Sequence, residues 1–115
     1  MFARNVTLTG SSGNDTVTVD DSTFNMSVTV NLGSGNDQLL IERNGATPGP
    51  VTTFNGPVRF NGGAGNDTVS IGVSGESGHR AVFNSTAHFN GGSGLNTQTL
   101  PENAFFAIPA VFVNF

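Results

Sequence analysis

The chain has 115 residues, a net charge of −4, no cysteine and only four cationic side chains, all arginine. That length supports one domain, 1–115, and excludes a disulfide scaffold, a thiolate metal site and the basic footprint of a nucleic-acid binder. Charged residues are 10% and glycines number 16, with the apolar residues thinly spread, so a helix-packed core is not expected.

In chain order the dominant signal is a repeat. Four eighteen-residue segments align without a gap from Phe2, Phe24, Phe54 and Phe83: FARNVTLTGSSGNDTVTV, FNMSVTVNLGSGNDQLLI, FNGPVRFNGGAGNDTVSI and FNSTAHFNGGSGLNTQTL. In each a glycine falls eleven residues after the phenylalanine. The starts lie 22, 30 and 29 residues apart, so a constant block alternates with a connector of variable length. Within each block two stretches of period-2 alternation flank the glycine turn and predict two strands. The first turns Val6/Leu8, Val28/Val30, Val58/Phe60 and Ala87/Phe89 to one face; the second turns Val17/Val19, Leu39/Ile41, Val69/Ile71 and Gln98/Leu100 there.

A shorter third strand precedes each phenylalanine, as in Pro50 to Phe54 and Arg80 to Phe83, and Pro109 to Phe112 is expected to repeat it 29 residues after Phe83. The phenylalanine column would then be Phe2, Phe24, Phe54, Phe83 and Phe112. These expectations define an all-β chain: a right-handed parallel β-helix, or β-solenoid, of about four three-sided rungs, with loops such as 44–49 and 74–78 inserted at one corner. Equivalent residues of successive rungs would stack about 4.8 Å apart, and right-handed coiling is the usual sense of parallel connections.

The turn residues 62–70, GGAGNDTVS, match the Gly-Gly-x-Gly-x-Asp-x-apolar-x pattern, and GSSGNDTVT and LGSGNDQLL keep the aspartate. In these turns the chain resembles the RTX, or hemolysin-type calcium-binding, repeats of secreted bacterial proteins. The resemblance implies calcium as a cofactor, with Asp15, Asp37 and Asp67 and the turn residues Gly35 and Gly65 as ligands. Stacked turns could converge carboxylates and backbone carbonyls on a hard cation, which would relieve repulsion between stacked aspartates. The fourth copy has Asn96 in that place, and one such turn per 22 to 30 residues supplies half of the family's usual ligand set. Asn-Asp is also good turn chemistry without any metal, since asparagine tolerates positive φ and aspartate bonds to the backbone beyond it. Asn31, Asn61 and Asn90 are expected to form an amide ladder, with a second at Asn14, Asn36 and Asn66.

Outward on the second strand stand Thr16/Thr18, Gln38/Leu40, Thr68/Ser70 and Thr97/Thr99, a partial threonine array similar to the faces of ice-binding solenoids. Catalytic constellations are missing: His79 and His88 are isolated, and Glu42, Glu76 and Glu102 sit in connectors with no visible partner, so no enzyme is expected. Sequons at Asn5, Asn14, Asn25, Asn66 and Asn84 permit surface glycans. The opening Met1 to Arg4 has no apolar signal segment, and the apolar stretch 104–115 is too short to span a bilayer.

Both ends of the repeat look uncapped, and open solenoid ends are templates for further pairing. The expected assembly residues are Phe2 at one end and Phe105, Phe106, Ile108, Val111, Phe112 and Phe115 at the other. The leading expectation is an extracellular or cell-surface structural protein that stacks head to tail as a homopolymer, into a filament or surface layer. A calcium-binding module of a larger adhesin ranks second and an ice-binding module third.

Overall fold

In the computed structural model the described residues are 2–43, 51–72, 80–99 and 104–115. The connectors 44–49 and 74–78, with Glu76, His79, Leu100 and Glu102, lie outside them.

All regular structure is parallel β. The first rung has a single bridge at Phe2, then β1 (Val6–Thr9) and β2 (Thr16–Val19). The second has β3 (Thr23–Phe24), β4 (Val28–Ser34) and β5 (Gln38–Ile41). The third repeats this as β6 (Thr52–Phe54), β7 (Val58–Ala64) and β8 (Thr68–Ile71), and the fourth as β9 (Ala81–Phe83), β10 (Ala87–Ser93) and β11 (Thr97–Thr99). A fifth rung has two strands, β12 (Ala104–Phe106) and β13 (Val111–Val113). The three sheets run β3-β6-β9-β12, β1-β4-β7-β10-β13 and β2-β5-β8-β11, so the molecule is a three-faced parallel solenoid.

Alternation produces the core directly. In β4, β7 and β10 the inward residues Val28/Val30, Val58/Phe60 and Ala87/Phe89 are buried, while Arg59 between two of them is exposed. Because pairing is in register, each inward position becomes a column along the axis. The phenylalanine column is the clearest: Phe2, Phe24, Phe54, Phe83 and Phe106 stack with ring centroids 4.7, 5.0, 4.8 and 4.7 Å apart. Near-parallel stacking is what a rung spacing of about 4.8 Å imposes on rings sharing a rotamer.

The last member of that column corrects the sequence expectation. Phe106, not Phe112, ends it, because β12 rather than Pro109 to Phe112 pairs with β9. Phe112 belongs to β13 and stacks on Phe89 at 4.8 Å. The connector into the fifth rung is shorter than its two predecessors, and stacking constrains register rather than connector length. Two positions depart from expectation: Ser70, expected to face outward, is buried, and Glu42, expected in a connector without partners, is 1% exposed just after β5.

Candidate functional site

At the corner after β4, β7 and β10 the chain must pass from one sheet to the next beside an equivalent turn one rung away. Gly35 and Gly65 adopt φ of 134° and 130°, and a Cβ on Gly65 would stand 1.8 Å from the Gly35 carbonyl oxygen. Only glycine permits both the angle and the approach. The Asn-Asp pair that follows locks neighbouring turns together. Asn14 Oδ1 accepts from the Asn36 N–H at 2.8 Å, Asn36 Oδ1 from Asn66 N–H at 2.8 Å, and Asn66 Oδ1 from Leu95 N–H at 2.9 Å. The aspartates bond the other way along the stack: Asp37 Oδ1 accepts from Asp15 N–H at 2.7 Å, Asp67 Oδ1 from Asp37 N–H at 2.9 Å, and Asn96 Oδ1 from Asp67 N–H at 2.7 Å. Each turn therefore both caps the rung before it and is capped by it, which satisfies backbone groups that a turn leaves unpaired.

The aspartates lie inside this corner. Asp37 and Asp67 are fully buried, one oxygen of each is held by a backbone N–H, and the Oδ2 atoms are enclosed without a hydrogen-bond partner. Asp15, half-buried in the first rung, turns its Oδ2 to the Ser11 N–H at 2.6 Å and hydroxyl at 3.2 Å. Burial raises the pKa of Asp67; the hydrogen bond from the Asp37 N–H opposes the rise and the Asp37 carboxylate adds to it. Calcium takes six to eight oxygens in an open cage. Here the Gly35 carbonyl is pressed against Gly65, and no group of three or more His, Cys, Asp or Glu among the described residues is placed to hold a metal. Asp15, Asp37, Asp67, Gly35 and Gly65 are brought together as one column.

The asparagine ladders divide. Asn61 Nδ2 donates to Asn31 Oδ1 at 2.7 Å, while Asn90 Oδ1 accepts from the Gly92 N–H and from Asn114 Nδ2, both at 2.9 Å. A further ladder escaped the sequence reading: Asn55 Nδ2 donates to Asn25 Oδ1 and Asn84 Nδ2 to Asn55 Oδ1, both at 2.8 Å. Its signal was the Phe-Asn pair opening three successive repeats. Glu42, with φ 54°, accepts through Oε1 from the Thr52 hydroxyl and from the Asp21 N–H at 2.8 Å, tying the second rung to its neighbours. His88 stands next to Arg59 on the outer face of its sheet. The outer threonine rows of the third sheet are interrupted by Gln38, Leu40 and the buried Ser70.

The expected assembly residues separate by direction. Phe2, 47% exposed, and Phe106 terminate the same aromatic column at opposite ends of the solenoid. Phe112 closes the adjacent column, and Phe115 packs edge-on against it at 5.8 Å after the chain turns at Asn114, φ 60°. Asn114 is held there by Asn96 Nδ2, which donates to its carbonyl oxygen at 3.0 Å. Phe105, Ile108 and Val111 point sideways instead: Phe105 lies under the Arg80 guanidinium at 5.6 Å, and Ile108 and Val111 line an outer groove with Pro57, Arg59, Thr86 and His88. The chain matches no family model, no curated protein and no solved structure.

Proposed function

We propose that this is a non-enzymatic extracellular structural protein whose solenoids add end to end into a filament or surface layer. The observation that carries the reading is the state of the two ends. At the first rung the core columns stop at exposed Phe2 and Leu8, with half-buried Val6, Val17 and Val19 beside them. At the fifth they stop at Phe106 and at Phe112, against whose ring Phe115 packs. Residues of like chemistry thus cap the same columns at both ends, and the outer edges of β1 and β13 are unpaired among the described strands. A second copy whose Phe2 follows Phe106, and whose β1 follows β13, would continue the rung-to-rung register already present inside the molecule. Such a heterologous contact does not close on itself and generates a filament.

The join has a definite shape. Among the described strands β11 has no neighbour beyond it, and it carries Gln98 where earlier rungs carry Val17, Leu39 and Val69. Contact therefore runs through two sheets, with a polar notch one strand wide at the third. Electron microscopy and sedimentation of purified protein test the reading. The wild type is expected to form concentration-dependent filaments with an axial repeat of about 24 Å, five rungs of about 4.8 Å. Phe2→Asp is expected to leave discrete particles, whereas Phe105→Asp, on the outer face, should leave the filaments intact. Discrete wild-type particles at high concentration, with and without calcium, would sink the proposal.

A further inference from the structure

In-register pairing fixes which residues follow one another along the corner between the β3-β6-β9-β12 sheet and the β1-β4-β7-β10-β13 sheet. At one position there the succession from rung two to rung five is Met26, Gly56, Ser85 and Ile108: large, absent, small, large. Met26 and Ile108 are 47% and 45% exposed, and Gly56 has no room for a side chain, since a Cβ there would stand 2.4 Å from the Met26 carbonyl carbon. Two bulky side chains three rungs apart, about 14 Å, therefore bound a saddle. Three residues further along each rung, the outward places hold Thr29, Arg59, His88 and Val111. The rung-five side of the saddle is a groove of about 370 Å³, with Arg59, Thr86 and His88 in its polar lining and Pro57, Ile108 and Val111 among its apolar walls. A mainly apolar hollow of this size with a few convergent polar groups has the character of a small-molecule site.

Charge says what kind of molecule would sit there. The chain carries a net −4 and four arginines. Arg43 donates to the Gly72 carbonyl oxygen at 2.6 Å, and Arg80 lies over the Phe105 ring. Arg59 is exposed, its outward neighbours in the sheet are Thr29 and His88, and β4, β7 and β10 contain no carboxylate. Its guanidinium is a planar fork of donors matched to the two oxygens of a carboxylate. His88 adds a ring N–H one strand away, about 4.8 Å, and the Thr86 hydroxyl a further donor. Arg59 is the permanent cation of this lining, which suits an anion of single charge. We propose that the groove binds a small amphiphilic monocarboxylate, its carboxylate on Arg59 and His88 and its apolar body against Pro57, Ile108 and Val111. Rungs one and two have Thr7 and Thr29 where rungs three and four have Arg59 and His88, so the charge and the hollow coincide only toward the fifth rung. Lying on the outside of the solenoid, the groove is complete in one copy, and binding there does not depend on end-to-end addition.

Calorimetric titration of the full chain with straight-chain acids from acetate to octanoate, and with the primary alcohols of the same lengths as uncharged probes, tests the proposal. Affinity for the acids should rise about two- to fourfold per added methylene until the chain outgrows the groove. The alcohols should bind about tenfold more weakly than the matching acids, or worse. Arg59→Gln should weaken the acids by about tenfold or more and leave the alcohols unchanged. Ile108→Ser should flatten the dependence on chain length while keeping the preference for acid over alcohol. Both side chains are exposed, so each variant should unfold at the wild-type temperature, and Phe2→Asp should bind the acids as the wild type does. Equal affinity for acids and alcohols, octanoate bound by Arg59→Gln as tightly as by the wild type, or no saturation with any acid by about 10 mM overturns the proposal. Binding lost in Phe2→Asp but kept in Arg59→Gln places the acids at the apolar hollow of the open first rung, lined by Phe2, Val6 and Leu8, and overturns it equally.

Discussion

At the Gly-x-Gly-Asn-Asp turn each letter has a separate physical job, and the glycines and the carboxylates answer to different constraints. The glycines are demanded by backbone approach, as the 1.8 Å between a Gly65 Cβ and the Gly35 carbonyl oxygen makes plain. Gly65→Ala should therefore cost about 3 kcal/mol or more in urea denaturation, combining a forced φ with a backbone clash. Gly13→Ala, whose nearest neighbour would be Ser11 Oγ at 3.9 Å, should change stability by about 0.5 kcal/mol or less. Equal effects would refute the close-approach account. The aspartates were legible as a stacked column, since their spacing within the repeat is constant. Their direction was not, because the repeat says where a turn residue stands but not whether its side chain faces the cation-accessible edge or the enclosed inside of the corner. Glu42 was missed for a related reason: its partners Thr52 and Asp21 come from other rungs.

Strands and columns form the next level, where in-register stacking turns one residue's environment into that of its equivalents. Phe54 lies between Phe24 and Phe83 at 5.0 and 4.8 Å and is 1% exposed, so Phe54→Ala should cost about 3 to 5 kcal/mol by cavity formation. Phe105→Ala, on the outer face, should cost little, and a comparable loss at both sites would contradict the column model. Asn55 bridges Asn25 and Asn84 from a solvent-exposed position, and Asn55→Ala should lower stability by about 1 to 2 kcal/mol for two amide bonds. The strand periodicity and the inward faces were readable because alternation is a local property. The fifth rung departs from the 29-residue step because stacking fixes register between rungs and leaves connector length free. The better signal was the six-residue step Phe54 to Phe60, Phe83 to Phe89 and Phe106 to Phe112, which keeps both aromatic columns in register whatever the connector does.

For the molecule as a whole the relevant quantities are how rungs end and how the stack responds to its surroundings. If copies join through Phe2 and Phe106, assembly should weaken sharply in Phe2→Asp and be insensitive to chelator. A chelator-sensitive filament would bring calcium back as the joining agent. The sequence by itself determined the parallel three-stranded rung, the inward faces and the turn ladder, because each depends on a short pattern repeated along one chain. The tertiary structure alone decided that Asp37 and Asp67 are enclosed, that neighbouring turns bond through their aspartates, and that Phe106 rather than Phe112 ends the aromatic column. Those outcomes depend on which atoms of different rungs become neighbours, and neighbours across rungs are chosen by register and burial rather than by distance along the chain.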